Sequence, residues 1–363
     1  MGCEMVLRTA NLSTRVVLAA LLLAACCAIP GCSTRPSAGA HALQVRPVWP
    51  PPPDAPRVEY LREFSIPEDL GIRRKWMMRV LSRIAHGKRY RGMGRPYDVA
   101  VNGSGVIAVA DPDGRSLHLF DEAGSRYRRV MEADGGALVS PVAVVSDEQG
   151  RFYVSDSVRR AVFRFAQDGT WETVIGSGDG LERPTGLAYD RELRRLWVVD
   201  TARHRLLAFD PDGDLVRTVG RRGVGEGEFN YPVAVALDRD GRLFVTDSMN
   251  FRVQVLDADG EPLYAFGRGG KGPGDLDKAK GLALDSSGHV YVVEGLHDVI
   301  QVFDDHGRLL TVIGGTGNGP GEFVLPAGIH IDAADRILVA DSANRRIQIL
   351  RYLGEPDVEE VLE

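Results

Sequence analysis

One short pattern recurs along this chain at nearly constant spacing, and no other feature limits its fold so strongly. In "VTDSMNFRVQVLDADG" (Val245–Gly260) a β-branched run meets an acid, a polar connector follows, and an Arg opens a second apolar run that ends in Asp-Gly. "VADSANRRIQIL" begins at Val339, "VSDSVRRAVFRF" at Val154 and "VVDTARHRLLAF" at Val198, with weaker copies at Val109 and Val292. The anchoring acids Asp111, Asp156, Asp200, Asp247, Glu294 and Asp341 are separated by 45, 44, 47, 47 and 47 residues. A period of that length marks a chain built from stacked supersecondary units, none of which buries its apolar face alone. A motif present six times is architecture first, and function is to be sought where the copies differ.

The unit starting at Pro232 reads as four strands. "PVAVALD" and "LFVTD" flank the turn "RDGR", "SMNF" leads into "RVQVLD", and the turn "ADGE" leads into "PLYAFG". β-Branched and aromatic residues favour strands, and Asp-Gly supplies the positive φ of a hairpin turn. Four antiparallel strands per unit make a propeller blade. The sequence therefore predicts an all-β, six-bladed β-propeller of four-stranded antiparallel blades, a ring without free sheet edges. The last unit lacks its fourth strand, and "RVEYLREFS" (57–65) has the pattern of the missing one, so an N-terminal strand is expected to close the ring.

The residues that repeat are "P-x-G-[LIV]-x-x-D", as in Pro184–Asp190 and Pro326–Asp332, then "V-x-D-[ST]" and "N-x-R-[VI]-Q". On these the chain resembles the NHL-repeat family of six-bladed propellers over residues 93–353. The His and Trp-Asp marks of a WD40 ring are missing. Some NHL propellers belong to ubiquitin ligases or RNA-binding regulators. The RING Cys/His cluster of the first is absent, and so is the basic footprint of the second, in a chain with 44 Lys and Arg against 50 Asp and Glu. Nucleic acid is excluded as a partner.

The N-terminus reads as an address. The apolar run from Val16 to about Ala28 suits a signal-peptide core better than a membrane span. All four cysteines, Cys3, Cys26, Cys27 and Cys32, lie at the extreme N-terminus, so the repeats have no disulfide and no cysteine zinc site. "IPGC" resembles a bacterial lipoprotein signal ending at Cys32, and "LAAC" offers Cys26 instead. The division is signal 1–32, Pro-rich tether 33–56, closing strand and basic helix 57–92, propeller 93–353 and acidic tail 354–363. Within "SIPEDLG" the Ser-x-x-Glu spacing reads as the start of a helical turn. After it, Ile72, Trp76, Val80 and Ile84 share one face of a short basic amphipathic helix over 72–86, packed under the ring or laid on anionic lipid. The resemblance implies an exported lipoprotein of the bacterial envelope, on the outer membrane, anchored in lipid.

The repeated acids and the Arg five residues later (Arg205, Arg252, Arg346) read as scaffold, the carboxylates taking backbone N–H groups. The Gly-rich loops "GVGEGEF", "GKGPGDL" and "GNGPGEF" read as inter-blade turns, with Phe229, Leu276 and Phe323 wedged between blades. They lack the Lys-Ser/Thr of a phosphate loop. Binding is assigned to the variable rim: Tyr97, Arg115, Arg159, His204, Tyr231, Asn250, His297 and Asn344. Blade five departs furthest from the rule, with Glu294, His297 and Asp298 in "EGLHDV". No local His spacing fits zinc, and the His that related peptide-amidating lyases place after the strand-opening Pro is absent: those positions hold Tyr97, Val142, Thr185, Val233, Lys280 and Ala327. The reading is a monomeric binding module for an envelope protein or glycan, with no cofactor. The alternative is a lyase or lactonase-like hydrolase holding a divalent metal in the central channel, the lactonase drawing on Asn250 and Asn344.

Overall fold

The computed structural model describes residues 46–72, 92–176, 178 and 180–354. The basic helix expected over 72–86 and the acidic tail fall outside the described residues, apart from Ile72 and Gly354, as does the signal segment. Six sheets of four or five strands follow one another around a ring. Blade one comprises 98–101, 107–111, 116–121 and 126–130. Blade two comprises 141–146, 152–156, 161–165 and 171–175. Blade three comprises 184–190, 195–200, 205–209 and 215–219. Blade four comprises 232–237, 243–247, 252–256 and 262–266, and blade five 279–284, 290–294, 299–303 and 309–314. Each is an antiparallel meander in strand order, innermost first.

Blade six is composite. Its three inner strands, 326–331, 336–341 and 346–352, come from the end of the chain, and its fourth is Val58–Phe64, paired antiparallel from Val58↔Tyr352 to Phe64↔Ile347. Val48–Trp49, in the stretch read as a tether, add a fifth strand against Val58 and Glu59. Phe64 carries the closure. It is 1% exposed, it meets Phe120 of blade one edge-on at 5.1 Å, and it packs with Val99 and Val109 of blade one and Ile347 and Ile349 of blade six. The turn after it is a 3-10 turn, Pro67–Leu70. Asp69, rather than Glu68, turns back to accept the Ser65 and Ile66 N–H groups at 2.8 and 3.1 Å.

The core is divided into six apolar clusters, one at each blade junction. Phe229, Leu276 and Phe323, from the Gly-rich loops, are fully buried at the junctions of blades three and four, four and five, and five and six. The Gly of P-x-G has a specific cause. A Cβ on Gly186 would stand 2.6 Å from Ala234 Cα, and one on Gly281 2.6 Å from Ala327 O. The inner strands approach so closely around the axis that neighbouring blades leave no room for a side chain there.

Candidate functional site

Each inner strand starts where the second strand ends, so Pro141, Pro184, Pro232 and Pro326 lie opposite Asp156, Asp200, Asp247 and Asp341. The repeated acids therefore ring one face, and all six are fully buried. Asp247 accepts the Asn230 N–H at 2.6 Å, the Asn250 amide at 2.8 Å and the Arg252 Nε at 2.9 Å. Arg252 also donates to the Gly225 and Glu228 carbonyls. The acid thus ties the loop that leads into its own blade, as well as the turn that follows it. Asp111 shows the electrostatic result. Burial alone raises its pKa, but bonds from His118 and from the Arg95, Gly114 and Gly94 N–H groups overcome this and hold it at about 2.

The structure places the eight rim residues in different settings. Asn250 and Asn344 are tied within the repeat, each amide donating to the acid three residues earlier and to a Gly carbonyl, Gly223 or Gly317. Arg159 donates to the Ala133 and Gly136 carbonyls and lies over the Phe163 ring at 4.6 Å, clamping the small hairpin 132–137. His204 is buried, its Nδ1 accepting the Tyr231 N–H at 3.0 Å and its ring edge-on to Tyr231 at 4.5 Å. Burial and then the Arg222 charge push this imidazole towards its neutral form. His297 Nε2 is buried without a hydrogen-bond partner, 4.0 Å from Asp277 Oδ2. Arg115 is exposed. Tyr97 and Tyr231 are exposed and border the central channel.

That channel encloses about 820 Å³. Its wall is the six inner strands, with small and branched residues such as Ala143, Val144, Val235, Leu282 and Ile329. At the mouth stand Arg95, Arg183, Lys278 and Lys280, from blades one, three and five. Among the polar groups in the wall are Asp98 and His330. Asp98 occupies the register position that holds Ala143, Gly186, Ala234, Gly281 and Gly328 in the other blades. Its carboxylate accepts the Val144 N–H at 3.0 Å, and burial pushes its pKa up to about 7. His330 Nε2 is buried without a hydrogen-bond partner, and burial lowers that ring's pKa to about 4. The rim assignment did not include the four cations or Asp98.

Residues 229–256 match the family model of the NHL repeat, and residues 278–353 match a family described as a 6-bladed beta-propeller. This chain is a six-bladed β-propeller that carries an NHL repeat. No curated protein matches it. Among solved structures, virginiamycin B lyase from Staphylococcus aureus superposes with a TM-score of 0.55 at 15% identity, over 72% of this chain and 96% of that one. A gluconolactonase from Xanthomonas campestris gives 0.55 at 19%, over 72% and 86%. A protein of unknown function from Bacteroides thetaiotaomicron gives 0.56 at 16%, over 71% and 70%. At such identities the likeness is one of fold. The donor set does not fit the metal-dependent alternative: among the described residues no three His, Cys, Asp or Glu side chains converge as metal ligands, and the amides of Asn250 and Asn344 are already committed to the repeat.

Proposed function

We propose that this propeller is a lipid-anchored binding module of the bacterial envelope, held through Cys32 or Cys26, that docks a protein partner on the channel-mouth face. The observation that carries the reading is where apolar surface lies. Val158, Val224, Tyr231, Met249, Leu296 and Leu325 are exposed on connectors and loops of that one face. The opposite face is made of Asp-led turns, in which Asp147, Asp238, Asp304 and Asp332 each pair with an Arg four residues on. Exposed apolar groups on one face, together with Arg and Tyr, suit a protein interface. A glycan site would present stacked aromatic planes, whereas most of these side chains are aliphatic.

In-cell photo-crosslinking from positions 231 and 296 tests this, with exposed Leu193 on the far face as control. A discrete protein adduct from 231 and 296, and none from 193, is expected. Adducts of equal yield from all three, or none from the mouth face of a folded protein, would sink the proposal.

A further inference from the structure

The channel holds a second feature, independent of the apolar rim. In blades three and six, the residue after the acid carries a hydroxyl that latches one blade to the next. Thr201 Oγ1 donates to Pro232 O at 2.7 Å, and Ser342 Oγ donates to Pro96 O at 2.6 Å. Blade five has Gly295 at this position and cannot make that bond. Lys280 makes it instead, Nζ donating to Pro326 O at 3.0 Å. The two departures are built for each other, since a Cβ on Gly295 would fall 2.4 Å from Lys280 Cε.

A serine would latch the blades without a charge. The lysine adds an ammonium whose other two N–H groups have no partner among the described residues. Burial lowers its pKa, and so do the neighbouring charges of Arg95 and Lys278. The opposing carboxylates are committed elsewhere: Glu294 accepts the Lys278 N–H at 2.9 Å, while Asp298 binds Thr316 and the Leu325 N–H. Arg95, Arg183 and Lys278 have no carboxylate partner among the described residues. A half-buried ammonium among unpaired cations is costly unless an anion joins it. Below it the channel wall combines apolar side chains such as Ala143, Val144, Val235, Leu282 and Ile329 with polar ones, in a volume typical of small-molecule sites.

We propose that the channel binds a small amphiphilic anion, its acidic head held by Arg95, Arg183, Lys278 and Lys280 and its apolar body along the inner strands. The head is a carboxylate or a phosphate, the two groups that cations in this arrangement recognise.

The test is calorimetric titration of the full-length protein with octanoate, octan-1-ol and inorganic phosphate. The variant is Lys280→Val with Gly295→Ser, which recreates the Val233 and Ser248 pairing of blade four and so keeps a hydroxyl at the latch position while removing the charge. Octanoate is expected to bind once per chain, to be displaced by phosphate, and to lose about tenfold or more in affinity in the double variant. Arg183→Ala, at an exposed position, is expected to weaken octanoate in the same direction. Octan-1-ol binding as tightly as octanoate, or an undiminished affinity in a folded double variant, would overturn the cationic seat. Phosphate binding as tightly as octanoate would overturn the apolar body. Binding of none of the three would overturn the site.

Discussion

Replacing Phe64 with Ala strikes the strand, Val58–Phe64, that completes blade six and holds the ring shut. Its ring is 1% exposed and packs at once on its own blade and on blade one. Truncating a buried Phe to Ala costs about 3–5 kcal/mol, from lost transfer energy plus the cavity left behind. The edge-on pair with Phe120 at 5.1 Å places the site towards the upper end, because such pairs add about 0.5–1.5 kcal/mol. Against a typical domain stability of about 5–15 kcal/mol, that is a large fraction. For a domain of this size, the loss corresponds to a fall in Tm of roughly 6–10 °C. The assay is urea unfolding read by far-UV circular dichroism and, in a background with Trp49, Trp76 and Trp171 replaced by Phe, by the fluorescence of Trp197, which is fully buried in blade three, away from the closure. If the ring is one cooperative unit, both signals move together to lower urea. Leu263→Ala, at a site 51% exposed on an outer strand, is the control and is expected to change stability by less than about 0.5 kcal/mol. A Phe64→Ala midpoint no lower than that of the control would refute the clasp as a source of stability. A shift in one signal alone would refute the single cooperative ring.

Three further outcomes follow from the same geometry. Arg346, with five bonds to Asp341, Glu63 and the Asn318, Gly319 and Glu322 carbonyls, should cost about 3–5 kcal/mol on conversion to Ala. Arg252, with three such bonds, should cost about 2 kcal/mol, and equal losses in denaturant titrations would contradict this ranking. Asp98 has a folded pKa near 7 against an ordinary 3.8, so the folded state holds its proton more tightly. Stability should fall as pH rises through that window, and the Tm difference between Asp98→Asn and the parent should grow in the variant's favour from about pH 4 to about pH 8. A pH-independent difference would mean that Asp98 ionises without penalty. Finally, Cys32→Ala should abolish palmitate labelling of the expressed protein. Labelling that survives it but is lost in Cys26→Ala would move the anchor to Cys26.

The blades were legible because each carries its own start, turn and stop signals, and because a strand missing from the last repeat must be found elsewhere in the chain. The acid–Arg pairs were legible as scaffold for the same reason, since six copies cannot all be sites. The channel mouth was harder to read. Its cations come from alternate blades and share no local spacing, so only the closed ring brings Arg95, Arg183 and Lys280 together. Two signals were nonetheless present as breaks in register: Asp98 where the other blades have Gly or Ala, and Gly295 where they have Ser, Thr or Pro. Asn250 and Asn344 belong to the repeated motif in the sequence, and the structure shows what their amides do there: each ties the repeat's acid to a Gly carbonyl.

The composite sixth blade also sets a timetable for the growing chain. Residues 58–64 are made before the strands of blade one, but their partner strand, 346–352, is made after every other strand of the ring. Until then the ring cannot shut, and two unpaired strand edges stay open to any neighbour that offers a matching backbone. A nascent or prematurely terminated chain is therefore most exposed to mispairing just before residues 346–352 emerge. Joining residues 58–64 directly after residue 352 through a short loop, and opening the chain elsewhere, would let all of blade six emerge together.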